Sequence, residues 1–164
     1  MTIRKVLISL ILTFAYLIFQ RDAFSNDFKL NLTYLQGEKS KDSYTISTKI
    51  NIEGNQVTYS KTSSGYIKSK LENENKSCTF SDVRLDSIMN YILTNKLNVT
   101  DSLFDKSIKY KSYELFTNIA LDLENEGINT HIRINGDVSQ FENELLYKSL
   151  LEFISYLNDL IDNC

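Results

Sequence analysis

The longest amphipathic pattern in the chain runs from Val138 to Ile161. Its apolar residues recur every three or four positions and therefore share one face of a helix; they are Leu146, Leu150, Phe153, Ile154, Leu157, Leu160 and Ile161. Asp137 with Gln140, and Ser139 with Glu142, have the spacing of a capping box just before this stripe. The pattern predicts a helix over residues 138–161 that packs its apolar face against a larger element.

Strict alternation of apolar and polar residues predicts an antiparallel sheet of about six strands. The segments proposed as strands are residues 28–34, 44–52, 57–59, 66–71, 113–123 and 128–134, with a further short one at 108–110. Polar stretches predict loops at residues 36–42 and 72–77. Because the strands alternate, one face of the sheet should be covered and the other should face water.

The first hairpin has a register that its turn and its hydrophobic pattern both support. A two-residue Gly54-Asn55 turn pairs Ile52 with Val57 and Ile50 with Tyr59. All four apolar side chains then lie on one face of the hairpin.

The second hairpin is predicted to turn through four residues, Glu124 to Gly127. Such a turn pairs Leu123 with Ile128 and stacks apolar side chains on one face. The same register sets out three pairs on the polar face, His131 opposite Ala120, Arg133 opposite Asn118, and Asn135 opposite Phe116.

A first helix is predicted between the two groups of strands. Ser81 is placed as its N-cap, and the helix ends near Lys96. Its apolar residues are Leu85, Ile88, Met89 and Ile92, with Tyr91 or Leu93 beside them. Two amphipathic helices on one face of an antiparallel sheet make a two-layer α+β fold.

The first 25 residues have the layout of a secretory signal peptide. Arg4 and Lys5 form a basic start, residues 6–19 form an apolar stretch, and Ala23 and Ser25 place small residues at the −3 and −1 positions of a cut after Ser25. The alternative is an uncleaved membrane anchor, but a span needs about 20 apolar residues. We therefore expect an exported protein that is cleaved after Ser25 and has no membrane span afterwards. Residues 26–164 then form a single domain, since no proline and no flexible Gly/Ser tract marks a linker.

The charge of the chain argues against a nucleic-acid partner. Cleavage would remove three basic residues and one acidic residue, which changes the net charge from −3 to −5. Nucleic-acid binding depends on neutralising phosphates with Lys and Arg. An acidic body does not supply that surface.

Cys78 and Cys164 are the two cysteines of the chain. In an oxidising compartment an even pair usually forms a disulfide, and two free thiols are the alternative. The bond would join the end of the last helix to the loop before the first helix. Chain entropy gives such a long loop about 4 to 5 kcal/mol as an upper figure.

The candidate binding residues lie on the polar side of the second hairpin; they are Phe116, Asn118, His131 and Arg133. Aromatic and Arg side chains are favoured anchors of protein interfaces, and an ordinary solvated sheet face is the simpler interpretation. No Ser, Cys or second His accompanies His131 at a fixed spacing, so no catalytic residue is assigned. Neither zinc nor calcium spacing nor a Gly-rich phosphate loop occurs, so no metal and no cofactor is predicted.

The outer face of the first hairpin is a second polar surface, formed by Lys49, Asn51, Thr58 and Ser60 with Lys68 and Lys70 beyond it. Such a surface suits an acidic partner, either an anionic glycan or another protein. The simpler interpretation, which the pattern favours, is that lysines on a wet or edge strand prevent aggregation of one sheet with another.

Together these features predict a small, exported, soluble α+β domain that binds another protein without catalysis, such as an inhibitor, an immunity-type protein or an envelope accessory protein. One alternative is a small hydrolase of an envelope polymer that uses His131 with Asp122 or with a spatially adjacent carboxylate. Another is a carrier of a small apolar ligand, in a cavity lined by Tyr44, Tyr59, Tyr113 and the last helix.

Overall fold

The computed structural model describes residues 27–39, 43–65, 73–99, 101–105 and 114–164. The predicted signal peptide and the strands predicted at 66–71 and 108–110 lie outside these residues. The described residues form an α+β fold with one mostly antiparallel sheet of seven strands and two α-helices. The prediction of an α+β fold with two helices and a largely antiparallel sheet is thus confirmed; five of the described strands were predicted, and those at Glu74–Thr79 and Asp101–Asp105 were not.

The chain first forms four strands and a helix, then three strands and a second helix. The elements are β1 (Lys29–Lys39), β2 (Tyr44–Glu53), β3 (Gln56–Gly65), β4 (Glu74–Thr79), α1 (Asp82–Thr94), β5 (Asp101–Asp105), β6 (Glu114–Asn125), β7 (Ile128–Asp137) and α2 (Leu145–Asp162), with a short 3-10 helix at Val138–Gln140 between β7 and α2.

The strand order in the sheet is β4-β3-β2-β1-β6-β7-β5. All neighbouring strands are antiparallel except β5 and β7, which run parallel. The parallel pair arises because α1 carries the chain from β4 at one edge of the sheet to β5 at the other, and a crossover of this kind permits parallel pairing. The prediction of a wholly antiparallel sheet is wrong at this one pair.

The register of the first hairpin is confirmed. Ile52 pairs with Val57 and Ile50 with Tyr59, and all four side chains are buried. Gly54 has a φ of 57°, a left-handed conformation that suits glycine at the first position of a tight hairpin turn.

The register of the second hairpin differs from the predicted one by two residues. Its turn contains only Glu126 and Gly127, with φ values of 41° and 84°, and Asn125 pairs with Ile128. Leu123 consequently lies opposite Thr130 rather than Ile128. Side chains alternate with a period of two, so this shift keeps every residue on its expected face and changes only its cross-strand partner.

Parts of two predicted loops are strands instead. β1 continues to Lys39, through part of the loop expected at 36–42, and β4 occupies most of the loop expected at 72–77. Apart from Cys78, the sequence of β4 contains no apolar residue, so alternation could not reveal it. This segment is a strand because it hydrogen-bonds to β3. The pairing places Cys78 opposite Val57.

The C-terminal helix α2 begins at Leu145, later than the predicted start at Val138. Asp137 caps the 3-10 helix instead, since its Oδ1 accepts hydrogen bonds from the backbone N–H and the hydroxyl of Ser139 at 2.7 and 2.5 Å. Most of the predicted apolar stripe is buried, and Tyr147 joins the buried face. For α1, the start after Ser81 and the buried residues Leu85, Ile88, Met89 and Ile92 agree with the prediction, although the Ser81 side chain makes no capping bond.

The two helices pack side by side and antiparallel. Arg84 near the start of α1 donates a hydrogen bond of 3.0 Å to the carbonyl of Asn163 after the end of α2. Tyr91 stacks on Phe153 and Tyr156 of α2. Their apolar faces join the buried side of the sheet in one hydrophobic core, and the opposite face of the sheet is left for polar residues.

A disulfide between Cys78 and Cys164 ties the end of α2 to β4, with 6.1 Å between the two Cα atoms. The predicted pairing is present, but Cys78 lies on an edge strand rather than in a loop before α1. Lys76 on the same strand contacts Asp162 of α2 at 2.6 Å. Covalent and ionic contacts therefore hold the same helix end.

Candidate functional site

The outer face of the sheet, which points away from the helix-packed core, carries the candidate site. Its side chains come from the polar positions of each alternating strand, and pairing aligns them in rows across the sheet. One such row is Ser77, Thr58, Asn51, Asn31, Asp122 and His131. Two neighbouring depressions, of about 480 and about 290 Å³, lie on this face and share Asn31 in their lining.

Asp122, His131 and Arg133 form a hydrogen-bonded cluster on the β6–β7 hairpin. His131 Nδ1 lies 2.8 Å from Asp122 Oδ1, and Arg133 Nη2 donates to both carboxylate oxygens of Asp122 at 2.6 and 2.8 Å. Arg133 Nη1 also donates to the carbonyls of Leu121 and Ile132 at 3.1 and 2.9 Å. The guanidinium is therefore held in one orientation by four hydrogen bonds.

The cluster changes the acidity of its carboxylate. Partial burial raises the pKa of Asp122, but the hydrogen bonds from His131 and Arg133 and their positive charge outweigh burial and hold it below its ordinary value of 3.8. Asp122 therefore remains an anion in neutral and mildly acidic solution, with its charge balanced by Arg133. The imidazole of His131 is more than half exposed, at 55% of its side-chain surface.

The other two predicted binding residues lie further along β6. Phe116 pairs with Asp137 and Asn118 with Asn135. Six residues of strand separate Phe116 from Asp122, about 20 Å. The structure thus brings together His131 and Arg133 but not all four predicted residues.

Phe116 is half-buried rather than exposed, because its ring covers Gly37 on the neighbouring strand β1. A β-carbon at position 37 would lie 2.5 Å from Phe116 Cζ and 2.5 Å from the carbonyl oxygen of Tyr44. The absence of a side chain on Gly37 is therefore what admits the ring. Phe116 contributes to packing as well as to the outer face.

The smaller depression lies beside the cluster and is lined by Lys29, Asn31, Asp122, Leu123, Glu124, Asn129 and His131. Lys29 and Glu124 face each other at 3.6 Å across its wall. The charged groups at this end of the outer face are thus paired with one another.

The larger depression lies over β1 to β4, around Lys49. Its outer-face lining residues are Asn31, Thr33, Lys49, Asn51, Thr58, Ser60 and Asn75. The sequence pattern identified the four residues on β2 and β3. It missed Asn31, Thr33 and Asn75, although Asn31 and Thr33 occupy the polar positions of the β1 alternation, which was the available signal.

The chemistry around His131 provides a base but no adjacent nucleophile among the residues paired with it. Asp122 lies opposite it on β6, and Asn129 and Arg133 share its face of β7. None of these is Ser, Thr or Cys. Within the described part of the chain, no group of three or more His, Cys, Asp or Glu residues could hold a metal ion.

The structure describes two of the three tyrosines predicted to line an apolar cavity. Tyr59 is buried, Tyr44 is half-buried, and Tyr113 lies outside the described residues. None of the described helices combines the length and the apolar character needed to cross a membrane.

Comparisons with known proteins do not assign this chain to a family. Neither a protein-family model nor a curated protein matches it.

Proposed function

We propose that this chain is an exported, non-catalytic binding protein that contacts another protein through the outer face of its sheet. The observation that carries the proposal is the breadth of this face, which lies opposite the helix-packed core. Five neighbouring strands of about ten residues span about 24 by 33 Å, or about 800 Å². A stable interface typically buries about 800 Å² on each partner.

Arg133 is the residue best suited to anchor a partner. It retains 42% of its side-chain exposure while four hydrogen bonds fix its guanidinium. A group that is already ordered loses little conformational entropy when it binds, and Arg is enriched among the residues that dominate interface energies. His131, exposed beside it, extends this anchor.

The hydroxyl and amide residues around the cluster supply the rest of a polar interface. Ser, Thr and Asn side chains can adapt their hydrogen bonds to different partners, as they do in antibody binding sites. A protein bound in this way would leave water at the rim of the interface.

Export is supported by the Cys78–Cys164 disulfide, because such bonds persist in oxidising compartments and are rare in the cytosol. The apolar segment at residues 6–19 and the cleavage motif ending at Ser25 support the same conclusion. The mature chain should begin at Asn26, which mass spectrometry of the natively isolated protein will test.

Site-specific photo-crosslinking in the source cells tests the protein-binding role. A crosslinker at Asn118 on the outer face should capture a defined protein, and one at Glu152 on the exposed side of α2 should not. Arg133→Ala should remove the Asn118 product, whereas Lys148→Ala on α2 should leave it unchanged. Equal capture from both faces, or a product insensitive to Arg133→Ala, would contradict the proposal.

The hydrogen bond between Asp122 and His131 favours one second candidate, a hydrolase in which His131 acts as a general base on water. This role predicts that His131→Ala abolishes turnover of an envelope polymer while the melting temperature is unchanged. The binding role predicts no such turnover in the wild-type protein. Incubating the protein with isolated envelope polymers and measuring released fragments separates the two.

A further inference from the structure

The larger depression on the outer face centres on a lysine whose charge is not paired. Lys49 lies on β2 between Ser60 of β3 and Thr33 of β1, and its side chain is exposed. It makes no ion pair with any of the residues that the structure describes. The outer-face residues that line the depression include no carboxylate.

The other described cations that line the two depressions or belong to the Asp122–His131–Arg133 cluster are engaged. Lys29 contacts Glu124 at 3.6 Å, and Arg133 contacts Asp122. Lys76 also lines the larger depression, but its ammonium group lies 2.7 Å from Glu74 and 2.6 Å from Asp162. Lys49 is thus the ammonium of this depression that remains available to an anion in solution.

The position of Lys49 in the sheet excludes the simplest role of a lysine on a strand, which is to protect the edge of the sheet. A charge at the edge of a sheet prevents pairing with another sheet. β2, however, is hydrogen-bonded to β1 on one side and β3 on the other. Lys49 therefore does not protect an edge, and Lys68 and Lys70 lie outside the described residues.

The side chains around Lys49 are amides and hydroxyls, which both donate and accept hydrogen bonds; they are Asn31, Thr33, Asn51, Thr58, Ser60 and Asn75. None of them hydrogen-bonds through its side chain to another described residue. Ligand hydroxyl groups match this surface because they also donate and accept. The volume of about 480 Å³ lies in the range of small-molecule sites, about 300 to 1,000 Å³.

We propose that the depression around Lys49 binds an acidic oligosaccharide. A sugar carboxylate contacts the Lys49 ammonium, and the sugar hydroxyls hydrogen-bond to the surrounding Asn, Thr and Ser side chains. This site lies over β1 to β4, beside the Asp122–His131–Arg133 cluster, on the same outer face as the proposed protein interface; oligosaccharide binding there can be tested without a protein partner. A short acidic peptide would satisfy Lys49 but would leave most of the hydroxyl and amide groups without partners.

Nuclear magnetic resonance titration of the disulfide-bonded chain with trigalacturonate tests the proposal. The acidic trisaccharide should shift the backbone amide signals of Lys49, Asn51, Thr58 and Ser60. Lys49→Gln should weaken binding at least about tenfold, a loss of about 1.4 kcal/mol. Lys148→Gln, which removes an exposed charge from the opposite side of the molecule, should change the affinity less than about twofold.

Three matched probes decide the chemical class. Cellotriose, which lacks carboxylates, should bind at least about tenfold more weakly than trigalacturonate. Triglutamate should also bind more weakly, because it lacks hydroxyl groups. Equal binding of triglutamate, an undiminished affinity of Lys49→Gln for trigalacturonate, or no amide shifts at all would each overturn the proposal. None of these results bears on the crosslinking at Asn118, so the two proposals fail separately.

Discussion

Asp122 lies directly opposite His131 in the β6–β7 ladder, with 2.8 Å between Asp122 Oδ1 and His131 Nδ1. This pairing follows from the two-residue turn at Glu126 and Gly127. A four-residue turn would have put Ala120, not Asp122, opposite His131. The cluster at the centre of the candidate site therefore depends on the turn that closes the hairpin.

The acid stability of the protein should depend on Asp122. Hydrogen bonds from His131 and Arg133 hold its pKa below 3.8 in the folded protein, so its contribution to stability is complete above that value and is lost as pH falls through the lowered pKa. Asp122→Asn should lower the unfolding free energy by about 1 kcal/mol or less near neutral pH, since the group is partly exposed. It should also reduce the loss of stability below about pH 4.

Urea unfolding measured from about pH 6 to about pH 2 checks this prediction. Glu152→Gln, on the exposed side of α2, is the matched control and should leave the acid dependence unchanged. An Asp122→Asn protein with the wild-type loss of stability in acid would show that the cluster does not stabilise the folded state.

The turn of the second hairpin should be improved by asparagine. Glu126 adopts a φ of 41°, a left-handed conformation that Asn tolerates better than Glu. Glu126→Asn creates the Asn-Gly sequence favoured in two-residue hairpin turns and should raise the unfolding free energy by about 0.5 to 1 kcal/mol. Thermal unfolding will measure the change, and Glu124→Asn, outside the turn, should not reproduce it. A lower melting temperature for Glu126→Asn would argue against the two-residue turn.

Gly37 should not accept a side chain. A β-carbon there would lie 2.5 Å from both the Phe116 ring and the carbonyl oxygen of Tyr44, and the second contact is with backbone that cannot move aside easily. Gly37→Ala should therefore lower the unfolding free energy by about 1 to 3 kcal/mol. Gly127→Ala is the comparison, because its β-carbon would meet nothing within 4 Å and its cost arises from a φ of 84° alone.

Adding Phe116→Ala to each glycine variant separates the contact with the Phe116 ring from the other costs of the substitution. The double change at positions 37 and 116 should cost less than the sum of the single changes, since the ring contact is removed. The free-energy costs of the changes at positions 127 and 116 should add. Strict additivity at positions 37 and 116 would mean that the ring does not cover Gly37.

Loss of the disulfide should destabilise the protein and loosen the end of α2. Cys78→Ser with Cys164→Ser should lower the unfolding free energy by about 2 to 5 kcal/mol, because the bond closes a loop with a sequence separation of 86 residues. Amide exchange should accelerate most over residues 157–162. Chemical denaturation with and without a reductant will measure the first effect, and two free thiols in natively isolated protein would contradict the bond itself.

For each side chain of the candidate site, the sequence predicts the face of the sheet on which it lies more reliably than the residue opposite it. Phe116, Asn118, Asp122, His131 and Arg133 were all assigned to the polar face, which period-two alternation determines without knowledge of the partner strand. Their pairing required the turn geometry. Glu126 in a left-handed conformation has no signature in the sequence, so the longer turn was predicted and the contact between Asp122 and His131 was not recognised as a direct pair.

The sequence by itself determined which face of each long strand and helix is apolar, the register of the hairpin closed by Gly54, and the identity of the two cysteines that pair. These features are local, or follow from the limited choice of partners. Only the tertiary structure decided that the polar segment at Glu74–Thr79 is a strand, that β5 pairs parallel with β7, and that Lys49 lies on a strand paired on both sides, without an ion-pair partner among the described residues. Each of these depends on hydrogen bonds or distances between residues far apart in the chain, which no local pattern of side chains encodes.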